Sequence, residues 1–188
     1  MFQSLVRAMT TLRVPRLRKH AKAFGQDRRG TAAIEFAFFV SFLSVATLNV
    51  AEISVYIYQR MQVENAAQMG AQAVWKTCNT SSLLPATTNC SGMTTALTNS
   101  VQSTALGARV QSSSPTEGYY CVTAQNALQY MSSVDSKPAD CSAVGSTAQP
   151  ADYITIQTSF NYTPMFAGLT IGGMFPTTIQ QTTTMRLQ

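Results

Sequence analysis

The chain has 188 residues, enough for one modest domain with accessory segments and too few for a two-domain enzyme. Charged residues make up 11% of it, against about 25% in an average soluble domain, so its surface suits the cell envelope better than the cytosol. The formal net charge of +5 is carried by one end. Before Thr31 lie Arg7, Arg13, Arg16, Arg18, Lys19, Lys22, Arg28 and Arg29 against Asp27 alone, a net +7; the remainder has five basic and seven acidic residues, a net −2. A nucleic-acid-binding face needs Lys and Arg spread over the folded part, and five scattered cations do not supply one.

In chain order, residues 1–30 form a basic leader. From Ile34 to Ile57 the sequence is dominated by Phe, Val, Leu, Ile and Ala. The uncharged stretch, Phe36 to Ala51, is about 16 residues against the roughly 20 that cross a bilayer, so it spans with Glu35 near one interface and Glu52 near the other. No proline falls between Pro15 and Pro85 and no glycine between Gly30 and Gly70, which predicts one helix from about Thr31 to Trp75. Its membrane part is 34–57, and residues 31–76 form the helical segment. Beyond Glu52 the pattern turns amphipathic, with Tyr56, Arg60, Val63, Ala67, Ala71, Val74 and Trp75 stepping along one side. These positions are too small and irregular for a sustained coiled coil.

The stretch from Thr77 to Glu117 reads mostly as loop. Met93, Leu97, Val101 and Ala105 recur at helical spacing within it, with Ser91 as the expected cap and Gly107 as the expected end. Ile154, Ile156, Thr158, Phe160 and Tyr162 alternate with more polar residues, the best strand pattern in the chain. Ile179, Thr183, Met185 and Leu187 give another, and weaker strands fall near 108–112 and 118–124. The expected fold class is α+β: a long N-terminal transmembrane helix packed on a small antiparallel sheet with a short second helix. Residues 77–188 form the domain outside the membrane.

Eight cations before the apolar helix and few after it place the leader in the cytoplasm and the C-terminal domain outside. All four cysteines, Cys78, Cys90, Cys121 and Cys141, lie in that outer part, where an even count suggests two disulfides. Three pairings are possible, and chain proximity favours Cys78 with Cys90 and Cys121 with Cys141. Free buried thiols are the alternative. No close Cys-x-x-Cys pair or nearby His supports a zinc site, so no metal is expected.

The junction Arg28-Arg29-Gly30-Thr31-Ala32-Ala33-Ile34-Glu35-Phe36 cuts a cationic stretch off with one glycine and sets a lone carboxylate inside the apolar run. It resembles the prepilin processing site of type IV pilins, where a membrane peptidase cleaves after a glycine and a glutamate is fifth in the mature chain. Counting from Thr31, Glu35 is fifth. The pair Glu35-Phe36, the basic leader and the segment Phe160-Asn161-Tyr162-Thr163-Pro164 are similar to the TadE-like minor pilins, or pseudopilins, of the tight-adherence (Tad, Flp) system.

That resemblance implies cleavage between Gly30 and Thr31 by a prepilin peptidase, with Glu35 paired to the α-amino group of Thr31. It implies residence in the inner (cytoplasmic) membrane as a single-pass protein with a periplasmic or extracellular domain, or incorporation into the pilus. Its partners would be the membrane, the peptidase, other pilin subunits and the Tad inner-membrane assembly machinery. On physical grounds a carboxylate at the centre of a membrane helix costs on the order of 2.5–3.5 kcal/mol, so Glu35 needs an interface or a partner. The other reading is a stationary single-pass anchor whose outer domain binds a periplasmic partner.

An enzyme is not expected. The single histidine, His20, falls in the leader, and neither a Gly-rich phosphate loop nor a Gly-x-Ser-x-Gly elbow occurs. Asp135, Asp140 and Asp152 lie in loop-like sequence where exposure is the usual fate. No cofactor, small-molecule substrate or nucleic acid is expected.

Overall fold

A computed structural model describes residues 29–188, so the expected cytoplasmic leader up to residue 28 lies outside the described residues. The chain divides into two compact units, one ending at Thr47 and one covering Leu48–Gln188. Helix α1, Arg29–Cys78, is a single element that begins in the first unit and continues through the second.

In the first unit α1 is apolar on every side, with Ile34, Phe36, Phe38, Phe39, Phe42 and Leu43 all exposed. Among the described residues this is the one helix long and apolar enough to cross a membrane. Its hydroxyls are satisfied internally. Ser41, Ser44 and Thr47 donate to the carbonyls of Ala37, Val40 and Leu43 at 2.8, 2.7 and 2.8 Å, one turn back. Such back-bonding lets Ser and Thr reside in lipid without unpaired polar groups.

In the second unit α1 buries one stripe, Glu52, Val63, Ala66, Ala67, Gly70, Ala71, Val74 and Cys78. Arg60 and Trp75, expected along the same side, are exposed instead. The stripe is dominated by small side chains because other elements approach the helix closely. A Cβ on Gly70 would come within 2.7 Å of Leu97 Cδ1 and 3.0 Å of Val101 Cγ2. Glycine inside a helix costs roughly 1 kcal/mol relative to alanine, and here that cost accompanies close packing. Gly70→Leu overfills the contact, and a loss of about 1–3 kcal/mol is expected, read as a lower Tm.

After α1 the chain passes through a 3-10 turn, Ser81–Leu83, a one-turn helix α2, Ala86–Asn89, and α3, Met93–Val101. Met93, Leu97 and Val101 of α3 are buried. The expected Ser91 cap is not formed. Gly92 occupies the cap position without a side-chain hydrogen bond, and α3 ends at Val101, before the expected Gly107, which at φ +59° starts a separate 3-10 turn, Gly107–Arg109.

Five strands follow: β1, Gln111–Ser112; β2, Thr116–Val122; β3, Leu128–Ser133; β4, Ala151–Asn161; and β5, Thr178–Arg186. All pairings are antiparallel. β4 is central: β5 pairs with it from Tyr153 to Asn161, β2 pairs with residues 151–155, β1 pairs with residues 158–159, and β3 extends the sheet beyond β2. The alternation expected in β4 holds, with Ile154, Ile156, Thr158 and Phe160 buried, and Tyr162 just beyond it buried as well. These residues share one core with Val63, Ala66, Ala71, Val74, Leu97, Val101 and Ile179. Buried Thr158 donates its hydroxyl to the Val63 carbonyl at 3.0 Å, which ties helix to sheet without leaving a polar group unpaired. The fold is thus α+β, a long apolar N-terminal helix with an antiparallel sheet and short helices.

Candidate functional site

The predicted processing residues Gly30, Thr31, Glu35 and Phe36 all lie in the first turns of α1. Gly30 is exposed, and nothing lies within 4 Å of where its Cβ would be. Its backbone is helical. Glu35 is exposed and follows Thr31 by four residues, the spacing that sets two side chains on one helix face. An amino group created at Thr31 would therefore lie on the same face as the carboxylate.

The four cysteines form two disulfides, Cys78 with Cys90 and Cys121 with Cys141, the short-loop pairs. Cα separations are 5.8 and 5.7 Å, ordinary for such bonds. The first joins the end of α1 to the end of α2. The second joins β2 to the loop before β4. Among the described residues no three His, Cys, Asp or Glu side chains group as a metal site would require.

Residues 30–72 match the family model described as TadE-like protein. The chain therefore carries a TadE-like segment. That segment contains the Gly30 junction, the apolar stretch and most of the buried stripe, and it leaves the sheet and both disulfides outside the match. It supports involvement with the Tad pilus. Comparison with curated proteins and with solved structures gave no match.

Glu52, inside the TadE-like segment, occupies a site that sequence patterning did not reveal. It was expected at headgroup level, but its carboxylate is fully buried in the second unit and ringed by donors. Oε1 accepts from the Tyr162 hydroxyl at 2.5 Å and the Met165 N–H at 3.0 Å, and Oε2 from the Phe166 N–H at 3.1 Å. The Thr170 hydroxyl lies 3.3 Å from Oε2 and 3.2 Å from the Phe166 carbonyl. Since a carboxylate is acceptor-only when ionised, a ring of donors fits the charged form. Gly172 closes the site, because a Cβ there would meet Glu52 Cγ at 2.7 Å and Cδ at 2.8 Å. One helical turn on, Tyr56 stacks on Phe175 at 4.5 Å and meets Tyr162 edge-on at 5.1 Å. Burial and then the bond to Glu52 push the Tyr162 phenol up to about 12, so it remains a donor at physiological pH. The sole sequence signal was a carboxylate in an apolar helix, while its partners lie more than a hundred residues away.

A second carboxylate departs from expectation. Asp135 and Asp140 are exposed as expected, and Asp140 is held below the usual carboxylate range by accepting from the hydroxyl and N–H of Ser142. Asp152 is buried instead. It faces Glu117, whose carboxylate accepts from the N–H groups of Ala86 and Thr87 at the start of α2, both at 2.7 Å. Burial first, then the charge of Glu117, push Asp152 up to about 7, with Lys137 opposing. A folded-state pKa above the unfolded one means that the native state binds the extra proton, so this group's contribution is fully present below about pH 4 and is lost as pH rises through about 7. Thermal melts should show that decline between those limits, and Asp152→Asn should flatten it.

Proposed function

We propose that this chain is a minor pilin, or pseudopilin, of a Tad/Flp pilus, a structural subunit and not an enzyme. It is made as an inner-membrane precursor with its basic leader in the cytoplasm and its disulfide-bonded unit in the periplasm. A prepilin peptidase cuts between Gly30 and Thr31. The helix then serves as an assembly element, packing laterally with other pilin subunits under the Tad inner-membrane machinery, while the outer unit offers contacts for biogenesis, adhesion or secretion.

One observation carries this reading: the sequence Gly30-Thr31 with Glu35 one turn later opens a continuous apolar helix within the TadE-like segment. The new α-amino group at Thr31 would neutralise Glu35 in a region where an unpaired carboxylate costs on the order of 2.5–3.5 kcal/mol. A helix N-terminus adds a smaller attraction for the same anion. The membrane stretch begins near Ile34, and we set its outer end near Ala51, since Glu52 is already enclosed by protein.

Co-expression with the cognate peptidase tests the reading, with N-terminal sequencing of the membrane-extracted protein as the readout. A mature terminus at Thr31 is expected. A chain that keeps residues 1–30 in that setting would instead be a stationary anchor. Glu35→Ala is expected to leave cleavage intact and to deplete the subunit from isolated pili; wild-type incorporation would remove the role assigned to this carboxylate.

A further inference from the structure

Residues 163–176, between β4 and β5, form a loop whose ends are closed by the Tyr162 N–H donating to the Thr177 carbonyl at 2.8 Å. Its backbone is fixed from within the second unit at three points. Glu52 accepts from the N–H groups of Met165 and Phe166, and Asn49 Oδ1 accepts from the N–H of Ile171 at 2.9 Å. The loop is therefore tied to residues 49–52 of α1, the turn that immediately follows the apolar stretch along the chain.

What the loop presents outward is unusual for a water-facing connection. Met165, Leu169, Ile171 and Met174 are 63%, 68%, 40% and 84% exposed. No charged residue occurs anywhere from Tyr153 to Met185. Loops facing water are normally polar, and a cluster of exposed apolar side chains on a soluble unit marks an interaction surface. The anchoring bonds hold the backbone while leaving these side chains unpacked, so they are displayed and not collapsed onto the core. Phe175 turns inward instead, onto Tyr56.

We propose that this loop is a membrane-interface element: Met165, Leu169, Ile171 and Met174 insert at the headgroup and acyl boundary of the outer leaflet. The inference rests on the reading of α1 as a membrane helix. The occupant follows from continuity, since the residues that anchor the loop begin where the lipid-facing stretch of α1 ends. It also follows from composition, since apolar side chains on an uncharged segment suit that boundary. In the precursor the loop would brace the folded unit against the bilayer as a second contact.

Fluorescence quenching tests this with the full chain in proteoliposomes of phosphatidylcholine, with and without lipid brominated on the acyl chains. Trp75, the single tryptophan, is first replaced by Phe. Single reporters are then introduced as Met174→Trp or Leu169→Trp in the loop, Phe42→Trp in the apolar helix and Leu128→Trp in β3, each at an exposed position that tolerates the larger ring. Loss of emission in brominated lipid at both loop positions, comparable to that at Phe42→Trp and absent at Leu128→Trp, is the expected result. If Phe42→Trp is quenched and the loop reporters respond only to aqueous iodide, the loop proposal is overturned while the membrane helix stands. Protection from both quenchers would mean that protein covers the loop, which also overturns it. An unquenched Phe42→Trp would overturn the membrane reading itself.

Discussion

Glu52→Ala is expected to destabilise the second unit by about 3–5 kcal/mol, since it removes the acceptor shared by the Tyr162 hydroxyl and the Met165 and Phe166 N–H groups. The Tyr162 hydroxyl was desolvated on folding, and the two N–H groups partly so. Breaking one partner of a buried charged network costs more than a typical hydrogen bond because the groups left behind stay buried and unpaired. For a unit of this size that loss corresponds to a fall in Tm of roughly 10–15 °C, measurable by circular dichroism in detergent. Tyr162→Phe removes one donor and keeps the ring, so about 1–2 kcal/mol is expected. The two changes should be less than additive in a double-mutant cycle, because both cut the same contact. Glu52→Gln is the sharper control: it preserves shape, but its amide must present N–H groups to donors on one side, and it should fall between the other two. A Glu52→Ala protein that melts with the wild type would show that the loop finds other acceptors.

The parts of this molecule legible in the sequence are those whose signal is local. Helix α1 was legible because no proline or glycine interrupts it from Thr31 to Met69, and β4 because its alternation continues from Ile154 to Tyr162. The short-loop disulfides followed from chain proximity. β3 was missed, and its burial explains why: Leu128, Gln129 and Tyr130 are all exposed on an edge strand, so no alternation is imposed on Leu128-Gln-Tyr-Met-Ser-Ser. The short reach of β1 had a different cause, the turn at Gly107–Arg109 that occupies residues expected to be extended. The long-range sites were the least legible. Glu52 looked like a charge that ends a membrane span, because its donors are supplied by residues 162–170. Asp152 looked like a loop acid, yet it opens a central strand beside Glu117. Small residues on α1 argued against a coiled coil and were equally the mark of the closer packing that Gly70 makes with α3.

Replacing either cysteine pair by alanine is expected to cost about 3 kcal/mol, the stabilisation that closing a loop of 12 or 20 residues confers by restricting the unfolded chain. The consequences differ by position. Cys78 lies at the C-terminal end of α1 and is buried with the core, so losing its bond to Cys90 frees the segment that leads into α3 as well as the last turn of the helix. Cys121 and Cys141 are also fully buried, but they fasten the long connection between β3 and β4, which has little regular structure of its own. The first pair should therefore lower the Tm of the unit more than the second, though the loop it closes is shorter. Hydrogen exchange can separate the two, since loss of Cys121–Cys141 should raise exchange chiefly within residues 134–150. The same bonds report topology. Disulfides persist outside the cytoplasm and are reduced within it, so alkylation of the full chain denatured without reductant should modify none of the four cysteines when the basic leader is intact. Replacing the cations of the leader by glutamine weakens the charge bias proposed to orient the helix, and a fraction of chains inserted in reverse should then take up four alkyl groups. Uniform protection in that variant would mean that something other than leader charge fixes the orientation.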